Sequence, residues 1–199
     1  MTQQDIFIKV IVQINNLGFP YMLTGGMVVL FYGKPRTTHD IDIVVEISEN
    51  NIFEIINSFK EEFYVSEEGI KDAVSHKTMF NIIHPETGMK IDFWMLKDIP
   101  YEKVIFQRRV KKEIFGKEVY ISTPEDTIIR KLLWYKESDI DKHFNDALGI
   151  FQIQHENLDY DYIQQWVKEL KVSDIWGKVK ERTPKESLRL STGQAENNP

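Results

Sequence analysis

The stretch Leu23-Thr24-Gly25-Gly26, followed by Asp40-Ile41-Asp42, decides the fold that we predict for this chain of 199 residues. The short apolar run before the two glycines is typical of a buried strand, and residues 26–32 have the composition of a short helix. A junction of strand, glycine and helix exposes backbone N–H groups, and glycine lets a phosphate approach them closely. We therefore identify Thr24, Gly25 and Gly26 as candidate nucleotide-binding residues.

Three carboxylates lie on segments that we predict to be strands. Asp40 and Asp42 are two positions apart and so point to the same face of a strand. Asp92, in the run of residues 89–96, also has an apolar residue on each side, Ile91 and Phe93. Carboxylates on one face of a sheet repel each other unless a cation lies between them. Mg²⁺ prefers such hard oxygen ligands. We predict that Asp40, Asp42 and Asp92 are metal ligands and catalytic residues, with room for two Mg²⁺ ions. The competing interpretation is that Asp40 caps a strand and that Asp42 and Asp92 face solvent on a half-exposed sheet.

The remaining pattern divides the chain near residue 121. Helical spacing covers residues 5–17 and 52–59, and strand patterns cover residues 21–24, 41–47, 78–83 and 90–96. Residues 110–114 and 117–121 flank Phe115-Gly116 and predict a hairpin. After Pro124 the patterns are helical. We therefore predict an α/β (α+β) fold in which a small mixed sheet with flanking helices (residues 1–121) precedes a helical bundle (residues 122–181). The polar tail of residues 182–199 is predicted to be disordered.

Composition narrows the range of functions. The chain contains no cysteine, which excludes disulfides and thiolate metal sites. No apolar run approaches the length of about 20 residues that a membrane helix needs, and no signal peptide is recognisable, so we expect a cytoplasmic protein without a membrane partner. The net charge of −6 argues against a generally basic surface for nucleic acid. A local cationic cluster (Arg108, Arg109, Lys111 and Lys112) leaves RNA binding open as a weaker alternative.

The glycine pair, the Asp-Ile-Asp motif and the later Asp92 together resemble the nucleotidyltransferase superfamily that includes DNA polymerase β. Residues 23–42 and the helical half, from Pro124-Glu125-Asp126 onward, are similar to stand-alone bacterial and archaeal nucleotidyltransferases. That group includes the toxin components of AbiE-type toxin–antitoxin systems. The resemblance covers roughly residues 5–175 and leaves no motif acid missing.

The resemblance implies transfer of a nucleoside monophosphate from a nucleoside triphosphate, ATP among them, to a hydroxyl group, with release of pyrophosphate. Acceptors in the superfamily include tRNA, proteins and small molecules, and the toxin-like relatives imply a possible antitoxin partner. A lysine on the first helix of the second half is implied to contact the triphosphate, and Lys131 matches it. Arg36, in the loop between glycines and acids, is a second candidate. The alternative is a non-catalytic nucleotide-binding or interaction module with the same fold.

Overall fold

The computed structural model describes residues 1–183, so the predicted tail lies outside the described residues from residue 184 onward. Within residues 1–183 the chain forms a seven-stranded mixed sheet and nine α-helices. This mixed architecture, a sheet with flanking helices followed by helices alone, confirms the predicted fold class. No helix in this part of the chain has the length and apolar character needed to cross a membrane.

The sheet places the Asp-Ile-Asp motif on its central strand. The strands are β1 (Tyr21–Thr24), β2 (Asp40–Val45), β3 (Tyr64–Val65), β4 (Met79–Ile83), β5 (Lys90–Met95), β6 (Val110–Ile114) and β7 (Lys117–Ile121). They lie across the sheet in the order β3-β4-β5-β2-β1-β7-β6. Strand β2 runs parallel to β5 and antiparallel to β1. Its β-branched sequence suits this central place, because such side chains pack well between neighbouring strands.

Helices precede, interrupt and follow the sheet. They are α1 (Gln3–Leu17), α2 (Gly25–Tyr32), α3 (Ile52–Phe59), α4 (Glu67–His76), α5 (Pro100–Gln107), α6 (Pro124–Ser138), α7 (Asp141–Gln154), α8 (Tyr160–Glu169) and α9 (Ser173–Glu181). Helix α1 begins two residues earlier than predicted because Thr2 and Asp5 form a capping box. It ends as predicted at Gly18, which adopts a left-handed φ of +70°.

Alternate residues of the central strands face two different surroundings. Ile43 of β2 is fully buried, whereas Asp42 beside it is partly exposed. On the buried side, Phe93 of β5 stacks on Phe80 with ring centroids 4.9 Å apart, and it meets Phe59 of α3 at 6.0 Å. This apolar side anchors the strands in the core. The opposite side of β2 and β5 carries the acids.

The chain forms two compact units. The first contains residues 1–28 and 37–123, with the whole sheet, and the second contains residues 29–36 and the chain from residue 124 onward. In the second unit, Ile128, Leu132 and Ile150 are fully buried, and Phe151 meets Trp176 edge-to-face at 5.0 Å. Each unit therefore has an apolar core of its own. The functional boundary that we predict near residue 121 stays a prediction.

Candidate active site

A polar row crosses three neighbouring strands on one face of the sheet. Asp42 of β2 lies beside Asp92 of β5 in the parallel pairing and opposite Thr24 of β1 in the antiparallel pairing. Neighbouring strands are about 4.8 Å apart. Asp40 lies on the same face two residues earlier and pairs with Lys90. The structure thus brings the three predicted acids, which we call the acid patch (Asp40, Asp42 and Asp92), to one area of the sheet.

The two glycines make room for side chains of the segment that leads into and forms β2. Gly25 has a φ of +65°, and a Cβ atom built there would lie 1.9 Å from Oδ2 of Asp42. A Cβ atom at Gly26 would lie 2.1 Å from Oγ1 of Thr38. Both distances are impossible for real atoms. The sequence predicts that these glycines admit a phosphate; the structure adds that Gly25 admits the carboxylate of Asp42, which lies against the start of α2.

The surroundings of Asp92 disfavour the ionised form of its carboxyl group. Its Oδ1 atom is buried and has no hydrogen-bond partner among the described residues. Burial, followed by the charges of Asp42 and Asp40, raises the pKa of Asp92 to about 6. Each of these causes disfavours the charged form of the carboxyl group. A cation placed beside Asp92 would remove the repulsion and satisfy the buried oxygen.

The donor set of the acid patch fits a magnesium ion in part. Carboxylate oxygens are suitable ligands, and Mg²⁺ commonly binds one or two carboxylates together with water and phosphate oxygens. In residues 1–183, no group of three or more histidine, cysteine, aspartate or glutamate side chains is arranged to hold a metal ion. The fit therefore rests on the neighbouring Asp42 and Asp92 and on the unpartnered oxygen, and not on a preformed cage.

Two residues of this face were missed by the sequence analysis. Trp94 lies two residues beyond Asp92 on β5, and its Nε1–H donates to Oδ1 of Asp42 over 3.4 Å. Asn81 of β4 lies directly beside Asp92 in the antiparallel pairing. The alternation of β5 could have identified Trp94, since residues two apart on a strand share a face. No local signal could have identified Asn81, because its place depends on the register between two strands.

Arg36 and Lys131, the predicted triphosphate contacts, meet in the second unit at Asp146. The guanidinium of Arg36 donates to both carboxylate oxygens of Asp146 over 2.7 and 3.0 Å, and Nζ of Lys131 lies 2.9 Å from Oδ2. The side chains of Lys131 and Asp146 are 4% and 3% exposed, and that of Arg36 is 21% exposed. The two cations are thus positioned by one buried carboxylate, and their contact with a nucleotide stays a prediction.

The charges of this cluster keep Asp146 ionised. Burial by itself would raise the pKa of Asp146, but the hydrogen bond from Arg36 and the charge of Lys131 outweigh it and hold that pKa below its ordinary value. A carboxylate that accepts several charge-assisted hydrogen bonds behaves in this way. Asp146 therefore stabilises the fold as an anion.

Comparison with solved structures shows the same fold in proteins of low sequence identity. An antigenic nucleotidyltransferase-like protein from Paracoccidioides brasiliensis is 17% identical, with a TM-score of 0.56 over 91% of this chain and 94% of that one. ANT(2″)-Ia in complex with adenylyl-2″-tobramycin is 14% identical, with a TM-score of 0.53 over 92% and 99% of the two chains. The lincosamide antibiotic adenylyltransferase LnuA, with lincomycin bound, is 14% identical, with a TM-score of 0.51 over 77% and 98%.

Comparison at the sequence level gives the family. None of the curated proteins matches the chain significantly. The profile of a family described as "Nucleotidyl transferase of unknown function (DUF2204)" matches residues 3–182, which span both units of the structure. Because this match extends over most of the chain, the protein belongs to the DUF2204 family of nucleotidyl transferases.

Proposed function

We propose that this protein transfers a nucleoside monophosphate from a nucleoside triphosphate, such as ATP, to a hydroxyl acceptor and releases pyrophosphate. The observation that carries the proposal is the pairing of Asp42 with Asp92 on adjacent strands. The buried, unpartnered oxygen of Asp92 and its raised pKa are typical of a site that a divalent cation completes. Membership of the family and the likeness of fold support the reaction class.

In this proposal the acid patch would hold one or two Mg²⁺ ions. When bound, such ions lower the pKa of an attacking hydroxyl and neutralise charge on departing pyrophosphate. The acceptor oxygen forms a bond to the α-phosphorus as the bond to pyrophosphate breaks, and the hydroxyl proton passes to Asp92.

The nucleotide would lie against the start of α2. The backbone N–H groups of Gly25 and Gly26 are at the positive end of that helix, which favours phosphate. The hydroxyl of Thr24 is a further donor in the same row as Asp42. Arg36 and Lys131 stay the nucleotide contacts that the family resemblance implies, and within the second unit Asp146 fixes the position of both cations.

The test combines transfer with metal binding. Purified protein is incubated with Mg²⁺ and each of the four α-labelled nucleoside triphosphates, together with total tRNA, total protein, tobramycin or lincomycin as acceptor. Label transfer and released pyrophosphate are measured. We expect the double substitution Asp40→Asn and Asp42→Asn to lower transfer by at least about 100-fold, because it removes groups that stabilise charge at the reacting phosphate. Magnesium should raise the melting temperature of the unsubstituted protein and leave that of the double variant unchanged.

The matched control replaces two exposed carboxylates of the second unit, Asp161→Asn with Asp174→Asn, and so removes the same charge. This control should transfer label at the normal rate. Equal transfer by the Asp40 and Asp42 variant would remove the acid patch from the active site. Binding of nucleotide and metal without release of pyrophosphate would instead support a non-catalytic nucleotide-binding module.

The proposal also includes a toxin role, an antitoxin partner and the identity of the acceptor. A cytoplasmic toxin of the AbiE type, with an antitoxin partner, is supported by the similarity of residues 23–42 to that group. A small antitoxin-like reading frame beside the gene, and growth arrest that this second protein relieves, are the results expected of a toxin. Labelling of total tRNA would point to an RNA end as acceptor, and labelling of total protein to a protein hydroxyl.

A further inference from the structure

The face that carries the acid patch continues across β5 and β4, on the side of Asp92 that points away from β1 and the glycines. Here its side chains are partly or fully exposed, in alternation with the buried residues of the same strands. They belong to Lys90, Trp94, Met79, Asn81 and Ile83. We call this area the β4–β5 surface. If nucleotide phosphates lie at the glycines, the β4–β5 surface is the part of this face on the other side of Asp92, where a second substrate could reach that acid.

Trp94 dominates the β4–β5 surface. It is a large aromatic side chain, yet 38% of it is exposed. Its indole reaches Asp42 through the Nε1–H, which places the ring beside the acid patch, and it pairs across the strands with Met79. Asn81, next to Asp92, offers both a donor and an acceptor. An aromatic ring with one polar side chain nearby is a common arrangement for binding a small molecule.

The charges of this face decide which molecule it suits. On β2, β4 and β5 the face carries three acids, the acid patch, and one cation, Lys90. The polyanionic end of an RNA needs several lysines or arginines to neutralise its phosphates. One or two Mg²⁺ ions carry no more positive charge than the triphosphate carries negative charge, so the site as a whole keeps at least the negative charge of the acids. That charge favours a cationic molecule, and tryptophan is the aromatic side chain that attracts a cation best.

We propose that the β4–β5 surface is the acceptor subsite and that it binds a hydroxylated ring compound, cationic or neutral, packed on Trp94 and hydrogen-bonded to Asn81. This inference rests on the proposed function, because it takes the acid patch as the reaction centre. It assigns the acceptor to a chemical class that the reaction itself leaves open.

The test uses three sugars with the same ring and different charges: glucosamine, glucose and glucose 6-phosphate. Saturation-transfer NMR measures the binding of each to the full chain with Mg²⁺ at one ionic strength. We expect glucosamine to bind best and glucose 6-phosphate worst. Trp94→Ala should weaken glucosamine binding roughly fivefold or more, and Trp94→Phe, which keeps a ring, should weaken it less. The control is Phe53→Ala on α3, which removes an aromatic side chain that is 74% exposed and should change nothing.

Direct binding separates this inference from the proposed reaction. Trp94-dependent binding of glucosamine, with no label transferred to any acceptor, would keep the β4–β5 surface as a binding site for hydroxylated rings but overturn both the proposed reaction and the role of this surface as its acceptor subsite. Transfer to an acceptor whose KM is the same in the Trp94→Ala variant would keep the reaction and overturn the subsite. Tightest binding of glucose 6-phosphate, no binding of any of the three sugars, or tighter and salt-dependent binding of a trinucleotide RNA would also overturn it.

Discussion

At the scale of single residues, the carboxylate of Asp42 occupies the space that a side chain at position 25 would need. The left-handed φ of Gly25 and the 1.9 Å approach of the hypothetical Cβ atom to Oδ2 both require glycine. On the other side, Trp94 donates to Oδ1 of the same carboxylate. The orientation of Asp42 thus depends on the absence of a side chain at Gly25 and on the hydrogen bond from Trp94.

Gly25→Ala is predicted to abolish transfer through this contact. The backbone strain costs about 1–2 kcal/mol, and the added methyl group must displace the Asp42 carboxylate, so we expect at least about a 100-fold loss of rate. The matched control is Gly88→Ala, since Gly88 has a similar φ of +67° but nothing within 4 Å of the built Cβ. Transfer rates and thermal melting of both variants distinguish the effect of backbone strain from the effect of displacing the Asp42 carboxylate. Comparable activity in the two variants would contradict the role given to Gly25.

Local sequence patterns predict which side chains of one strand share a face, but not which side chains of different strands meet. The spacing of Asp40 and Asp42 on a β-branched run was sufficient to predict that these two side chains share one face. The place of Asp92 beside them depends instead on the pairing of two strands. The contact of Trp94 with Asp42 depends on the parallel register of β2 with β5, and that register is set by the whole sheet. Pairings between distant strands leave no trace in a single stretch of sequence.

At the scale of elements, strong periodicity and clear turn residues were the reliable signals. Strand β1, helix α3 and the hairpin of β6 and β7 have the bounds that the sequence predicts, and Phe115 and Gly116 both take positive φ in the hairpin turn. Three elements, β3, α4 and α5, had no predicted counterpart. Helix α4 contains Gly69 and few apolar residues, so its pattern is weak; its best signal is Ser66, whose hydroxyl caps the helix by accepting from the Gly69 N–H.

Helices α6 and α7 are joined by a buried ion pair as well as by apolar packing. Lys131 of α6 and Asp146 of α7 are almost fully buried, and Arg36 from the segment after α2 binds the same carboxylate. Removing one member of a buried ionic group is far more costly than breaking an exposed pair. No local pattern in the sequence predicts that these three charges meet, because Arg36 lies 110 residues before Asp146 in the chain.

Asp146→Asn is predicted to lower the free energy of unfolding by about 3–5 kcal/mol at neutral pH, because it removes the carboxylate that both cations share. The pKa of Asp146 is lowered in the folded state, so its contribution is complete above the ordinary value of 3.8 and is lost as the pH falls through the lower folded value. Urea titrations between pH 3 and pH 7 measure the difference.

The control for this prediction is Glu67→Gln, which breaks the exposed pair of Glu67 with Lys71 and should cost at most about 0.5 kcal/mol. A difference between the Asp146 variant and the unsubstituted protein that stays constant down to pH 3 would show that the lost stability does not come from the charge.

At the scale of the whole molecule, the second unit is built from two separate parts of the chain. Residues 29–36 belong to it although the first unit continues from residue 37 to residue 123. Contacts with α7 hold this segment: Gln154 Nε2 donates to the backbone carbonyl of Tyr32 over 3.0 Å, and Arg36 binds Asp146. A cut after Thr123 therefore removes the partners of an internal segment of what remains.

We predict that a fragment of residues 1–123 does not fold as stably as the full chain, because residues 29–36 lose those contacts. Circular dichroism should show a lower and broader melting transition for the fragment. Co-expression with residues 124–199 as a separate chain should restore it, since the missing partners are then supplied in trans. A fragment that melts as cooperatively and at the same temperature as the full chain would show that the segment needs no partners.

The interleaved chain also sets an order of events during synthesis. The segment of residues 29–36 leaves the ribosome roughly 90 residues ahead of residue 124, a delay on the order of 5–20 s at ordinary elongation rates. During that delay the apolar second half of α2, with Val29 and Tyr32, has no partner helix to cover it. Nascent chains of this protein are thus a natural client for chaperones that bind exposed apolar segments, and slow translation before residue 124 would lengthen their exposure.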